Sequence, residues 1–135
     1  MALFQWNPTL SVNIAEIDTQ HQRLVDLINE LNDAMVQGHG KQVLGNIIDG
    51  LAAYYITHFT TEEEFFDRYA YPAAAAHKQE HLDFIAKVDE FRQGLDEGRL
   101  GLSVSVLHFL GDWLHNHIKG SDMLYGPFLT AKGLK

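Results

Sequence analysis

The chain has no cysteine among its 135 residues. That removes disulfides, thiolate catalysis, iron–sulfur clusters and thiolate zinc sites together. Any metal here must be held by nitrogen and oxygen, which points to iron, manganese or zinc and away from copper(I). Proline is scarce, three residues in all, so long helices meet few interruptions. Positive charge is also in deficit: 10 Lys and Arg against 18 Asp and Glu leave a net charge of −8 with histidine neutral. Lys and Arg nowhere form a cluster, and a phosphate backbone needs a basic face, so nucleic acid is set aside as a partner. No apolar run approaches the roughly 20 residues that span a bilayer, so no membrane insertion is expected. Met1 to Asn13 lacks a positive segment followed by a long apolar one, so no secretory signal is read and a cytoplasmic location is expected.

What is present is helical periodicity. Nearly half the residues are apolar, and the length suits one domain around one core. The expectation is an all-α, up-down-up-down four-helix bundle with an extended N-terminal arm. Within the single domain 1–135, the arm covers 1–17, the bundle 18–122 and a polar C-terminal tail 123–135. In the arm, Phe4, Trp6, Leu10, Val12 and Ile14 alternate with polar neighbours, yet no second strand candidate exists, so the segment should lie extended over the bundle. Asp18 is the expected N-cap of a first helix over about 19–37, with Ile17, His21, Leu24, Ile28, Leu31 and Met35 as its inward stripe. Gly38-His39-Gly40 is a turn.

A second helix, about 41–69, carries Leu44, Ile47, Ile48, Leu51, Tyr55, His58 and Glu62 inward and Glu63 and Glu64 outward. After a break at Tyr71-Pro72, a third helix over about 73–95 carries Ala74, His77, His81, Phe84, Ile85, Val88 and Phe91. Glycines between 94 and 101 mark a loop, and Ser103 is the expected cap of the fourth helix, with Val106, Leu110, Trp113, Leu114 and His117 inward. His115 lies roughly 200° around the helix from His117 and shares the outer face of His108.

The chemistry concentrates between His58 and His81. His58 and Glu62 stand four apart on one helix, and His77 and His81 four apart on the next, so each pair shares a face. A lone histidine on an apolar stripe is more often a hydrogen-bonded core residue than a ligand. Two such pairs across a helix break, joined by His21 and His117, are how helical bundles build metal sites. Burying Glu62 unpaired would cost several kcal/mol, so it needs a cation or a partner. Asp122 follows His117 by five residues, too far for a regular helical neighbour. A turn unwinding at Gly120 is expected to return its carboxylate to the same spot.

Seven inward ligands, His21, His58, Glu62, His77, His81, His117 and Asp122, are too many for one octahedral ion and fit two. Two octahedral ions offer about twelve positions. If both carboxylates bridge, an oxo or hydroxo group bridges too and each imidazole binds once, about eleven are filled, leaving one position for a small ligand. No spare acid, base or nucleophile is read on the inward stripes, so no catalytic turnover is expected.

These segments carry a resemblance: Ser11-Val-Asn-Ile14, Ile17-Asp-Thr-Gln-His21, His58-Phe-Thr-Thr-Glu62, His77-Lys-Gln-Glu-His81 and His117-Ile-Lys-Gly-Ser-Asp122, following Trp6. Over essentially the whole chain, the sequence resembles the hemerythrin family in its single-domain bacterial form, the bacteriohemerythrins. The resemblance implies two non-haem iron ions with an oxo or hydroxo bridge. One would take His77, His81 and His117; the other would take His21 and His58 and keep the open position; Glu62 and Asp122 would bridge. It implies reversible binding of O2 at the open position, for oxygen storage, transport or delivery to an oxygen-consuming enzyme.

Leu114, one turn before His117, is the residue expected to line the O2 pocket, with Trp113, Ile118 and Phe59 nearby. A monomer is expected, because no second apolar stripe demands a partner. Three other roles compete with oxygen storage, transport or delivery. An oxygen or redox sensor would act through a separate signalling partner. A di-iron oxidase or peroxidase would turn over with a reductant. Iron storage would need a mineral cavity that nothing in the sequence suggests.

Overall fold

A computed structural model describes residues 5–135; Phe4 of the arm lies outside the described residues. The chain forms α1 (Ala15–Val36), α2 (Gly40–Tyr69), α3 (Ala74–Asp96) and α4 (Leu102–Trp113). It continues through a π-helical segment, Leu114–Asp122, into α5 (Met123–Ala131). No strand occurs among the described residues. The connections between the four long helices are short, which makes successive helices antiparallel neighbours. Helix α1 packs on α2 and α4, and α3 packs on the same two, closing the four-helix bundle.

Local chemistry sets the corners. Helix α1 ends as Gly38 turns left-handed at φ 80°, while its N–H donates to Met35 O at 3.1 Å; glycine enters that region without a Cβ penalty. Helix α2 ends at a left-handed Ala70, with the Tyr71 N–H reaching back to Phe66 O at 3.0 Å. Pro72 then disfavours helical backbone at Tyr71 and forces the break.

The core is two apolar clusters with a polar layer between them. The larger includes Leu24, Ile28, Leu31, Leu44, Ile48, Leu51, Phe84, Phe91, Val106 and Leu110. The smaller joins Val12, Ile14 and Ile17 to Phe66, Tyr71, Tyr125 and Leu129. Each fully buried Leu or Ile contributes roughly 1.5–3 kcal/mol of transfer free energy. Between the clusters, every helix stripe is interrupted once or twice by histidine or carboxylate.

The arm behaves as its alternation predicts: Leu10, Val12 and Ile14 are buried, and Trp6 packs at the edge of the larger cluster. A 3-10 turn, Pro8–Leu10, interrupts it, capped by Asn7 Oδ1, which accepts the Thr9 N–H at 2.9 Å.

Several boundaries differ from the sequence reading. Helix α1 begins at Ala15, so Asp18 is not its N-cap. The Asp18 carboxylate instead accepts the Val12 N–H at 2.9 Å and the Ser11 hydroxyl at 2.5 Å, pinning the arm to the helix. Ser103 is not a cap either, since α4 starts at Leu102 behind Gly101. On α2 the fully inward tyrosine is Tyr54, while Tyr55 is half-buried; the broad stripe of a core helix admits either. The stretch expected as a polar tail contains α5, whose Tyr125 and Leu129 are buried.

Candidate metal centre

Each long helix contributes to the polar layer because its apolar stripe is broken there and nowhere else. Helix α1 supplies His21, α2 His58 and Glu62, α3 His77 and His81, and the π segment His117 and Asp122. All seven are buried, none above 3% exposed. The four-residue spacings on α2 and α3 act as the sequence requires. The five-residue spacing is solved differently from the unwinding expected at Gly120. A π-helix bonds residues five apart, so the widened backbone stacks Asp122 over His117 while the chain stays helical. Asp122 Oδ1 lies 3.1 Å from His117 Nε2.

The side chains converge on two overlapping points. In one set stand Glu62, His77, His81 and His117; in the other stand His21, His58, Glu62 and Asp122. Within each set the offered ligand atoms all lie within 4.8 Å of one another. Glu62 Oε1 is 3.1 Å from His58 Nε2 and 3.0 Å from His81 Nε2. Asp122 reaches His77 at 2.9 Å through Oδ1 and His21 at 2.9 Å through Oδ2. His21 Nε2 and His58 Nε2 face each other at 3.0 Å.

Despite these approaches, Glu62 Oε1, both Asp122 oxygens and the Nε2 atoms of His77, His81 and His117 have no hydrogen-bond partner. Buried polar atoms are seldom left so. Lone pairs that converge without hydrogen-bond geometry suit a cation, and a donor set of imidazole and carboxylate suits iron, manganese or zinc.

The charges respond to one another accordingly. Burial alone would raise the Glu62 carboxyl, but the charge of His58 and contacts with His58, His77 and His81 hold it well below the usual carboxylate range. Asp122 is likewise held low: burial and Glu62 oppose its ionisation, and His117 and His21 outweigh them. Burial would lower the His77 imidazole, yet its contacts with Asp122 and Glu62 push it up to about 10. The two carboxylates stay ionised in the layer, and the surrounding imidazoles answer their charge.

Behind the imidazoles stands an outer ring that the sequence reading missed. Gln20 Oε1 meets His58 Nδ1 at 2.7 Å, Glu63 Oε2 meets His81 Nδ1 at 2.8 Å, and Glu80 Oε1 meets His117 Nδ1 at 2.9 Å. Glu63, read as facing water, is half-buried and holds His81. Such partners fix the ring orientation and leave Nε2 free to bind. A usable signal was present: each is adjacent in sequence to one of the seven, as Gln20 to His21, Glu63 to Glu62 and Glu80 to His81.

Aromatic rings complete the walls. Phe59 stacks on His81 and Trp113 on His117, each with centroids 3.8 Å apart. Leu114 and Ile118 are buried in the same cluster as these two aromatics.

The expectation of no further titratable group on the inward faces is corrected by two buried phenols. Tyr54 lies along His58, and the Tyr125 hydroxyl donates to Glu62 Oε2. Burial, together with the Glu62 and Asp122 charges, raises both phenols above their ordinary range, so both remain neutral. His39, His108 and His115 are exposed, as their positions imply.

A four-helix bundle with a buried histidine–carboxylate cluster able to hold cations is the class these observations define. The sequence pattern of the Hemerythrin HHE cation binding domain matches residues 12–129, and the chain belongs to the hemerythrin family. Among curated relatives, the bacteriohemerythrin of Stenotrophomonas maltophilia is 37% identical over 97% of this chain and 84% of its own length. That of Methylococcus capsulatus is 33% identical over 97% of this chain and all of its own. A wild-type hemerythrin crystal structure superposes with a TM-score of 0.85 at 32% identity, covering 96% of this chain and 99% of that one.

Proposed function

We propose that this protein binds O2 reversibly, holding two iron ions among His21, His58, Glu62, His77, His81, His117 and Asp122. One ion would be held by His77, His81 and His117 and the other by His21 and His58, with Glu62 and Asp122 shared and an oxo or hydroxo group between them. The observation that carries this reading is the pair of overlapping donor sets joined at Glu62, in which Glu62 Oε1, both Asp122 oxygens and three imidazole Nε2 atoms converge without hydrogen bonds. When bound there, iron supplies the electrons and the open coordination position that reversible O2 binding needs.

The chain's own residues do the rest. Five neutral imidazoles and two carboxylates hold the pair with little excess negative charge. The side with two histidines, His21 and His58, leaves room for one small ligand. Leu114, Trp113, Ile118 and Phe59 keep water from the pocket, and Leu114 lines it on the His117 side. The neutral Tyr125 hydroxyl orients Glu62. Among the described residues, the layer offers no base or nucleophile apart from the seven proposed ligands, which supports binding over turnover.

Cytoplasmic oxygen storage, transport or delivery to an oxygen-consuming enzyme is the role that follows. Among the described residues no helix is long and apolar enough to cross a membrane. The large exposed apolar side chains, such as Val36, Ile56, Leu82, Leu100 and Leu124, fall on different elements, which supports a monomer.

The test is an ultraviolet–visible spectrum with iron analysis, on protein reduced without air and then exposed to it. Two irons per chain, with charge-transfer bands that appear with O2 and vanish on its removal, are expected. Bands that appear once and never reverse would favour a sensor or an oxidase. Absence of stoichiometric iron would overturn the proposal.

A further inference from the structure

The two donor sets meet at Glu62, but the residues behind their histidines differ in charge. On the His77, His81 and His117 side, two of three imidazoles are backed by carboxylates: His81 by Glu63 at 2.8 Å and His117 by Glu80 at 2.9 Å. Glu80 is itself fixed by the Ser121 hydroxyl, which lies 2.8 and 2.9 Å from its two oxygens. On the His21 and His58 side, His58 is backed by the neutral amide of Gln20 at 2.7 Å. His21 Nδ1 is buried with no partner at all. The amide is held in turn by Thr61, whose hydroxyl oxygen accepts from Gln20 Nε2 at 3.1 Å.

A carboxylate accepting from one imidazole nitrogen makes the other nitrogen more basic and a better donor to a cation; an amide does so less, and an absent partner not at all. The three-histidine side therefore combines more ligands with stronger ones.

We propose that Glu63 and Glu80 make the two halves of the site unequal. The His77, His81 and His117 half holds its iron tightly, and the Gln20-backed half is the weaker and more exchangeable one. This inference rests on the reading that two irons occupy the site. Glu63, Glu80 and Gln20 act as positioning residues that reach the metals only through His81, His117 and His58. The arrangement has a functional sense: the ion on the His21 and His58 side is the one proposed to accept O2, and neutral backing leaves it the more weakly held of the two. The ion on the other side anchors the pair.

The experiment starts from the iron-loaded protein, reduced and kept without air. A competing chelator is titrated in, and released iron is counted against iron retained. The expected result is two steps, the second needing at least about ten-fold more chelator, with a species retaining one iron between them. Glu63→Gln and Glu80→Gln should each weaken the tighter step by about ten- to a hundred-fold and leave the weaker step in place, since outer partners typically shift metal affinity by that much. Gln20→Glu should move the weaker step the opposite way.

These substitutions keep side-chain size, and Glu63 and Glu80 lie at the edge of the core. Unchanged thermal melting of the iron-free variants would separate the effect from general loosening. A single two-iron step, or variants that move both steps alike, would overturn the inference while leaving a two-iron site intact. A protein with no stoichiometric iron to release would overturn the reading beneath it as well.

Discussion

In the larger apolar cluster, Leu24, Ile28 and Leu31 of α1 pack with Leu44, Ile48 and Leu51 of α2. Further along the same two helices, His21 faces His58 at 3.0 Å. The helices are the same and their inward residues are buried in both regions, and the forces are opposite. In the apolar region each contact is favourable alone and tolerant of its neighbours, because transfer from water needs no partner. In the layer, each group is costly to bury alone and is stabilised only by others, since an unpaired buried charge costs several kcal/mol. One region specifies stability, and the other specifies a charge that must be supplied.

The contrast can be broken most severely at Glu62, the one residue common to both donor sets. Glu62→Ala should abolish stoichiometric iron and, by stranding His58 and His81, destabilise the fold by about 3–5 kcal/mol. Iron analysis on purified protein checks the first outcome, and retention of both irons would refute the shared role.

The next two predictions apply one substitution to both regions. Leu31→Ala, deep in the apolar cluster, and Leu114→Ala, beside the layer, should each cost about 2–5 kcal/mol, read from denaturant unfolding. Only Leu114→Ala should admit water to the pocket and accelerate autoxidation severalfold. Equal autoxidation in the two variants would remove Leu114 from the pocket lining.

Tyr125→Phe tests the seam between the layer and the smaller cluster. The ring still packs against Phe66 and His77, but Glu62 loses its hydroxyl donor, a loss of about 1.5–3 kcal/mol for a hydrogen bond to a charged group. Melting curves of the variant should show it with iron still bound.

The smallest effect belongs to the surface. Arg92 and Asp49 pair at 2.7 Å, both substantially exposed, and Arg92→Ala should change stability by no more than about 1 kcal/mol.

Much of this was legible in the linear chain. The four inward stripes, the two helical His/Glu and His/His pairs and the break at Tyr71-Pro72 follow from helical periodicity and from proline's effect on the preceding residue. The structure keeps them. What escaped was whatever depends on the partner across a gap. Asp18 looked like a cap because caps are local, yet its carboxylate holds the returning arm at Ser11 and Val12. Tyr125 looked like part of a tail because Gly126-Pro127 reads as a break, yet α5 continues through it and folds Tyr125 onto Glu62. Glu63 looked solvated because an outward carboxylate is the commonest kind, and Glu80 drew no reading, yet they meet histidines 18 and 37 residues away.

An all-α chain with histidines and carboxylates on its inner faces follows from residue order alone, because helical period and residue type are local properties. That any metal must be met by nitrogen and oxygen follows too, because no sulfur ligand of cysteine exists. It took the packing of the helices to divide the donors into two sets sharing Glu62, and to widen the backbone into a π-helix that brings Asp122 over His117. The same packing decided which histidines are backed by carboxylate and which by amide. Those outcomes depend on distances between helices, which no single stretch of chain contains.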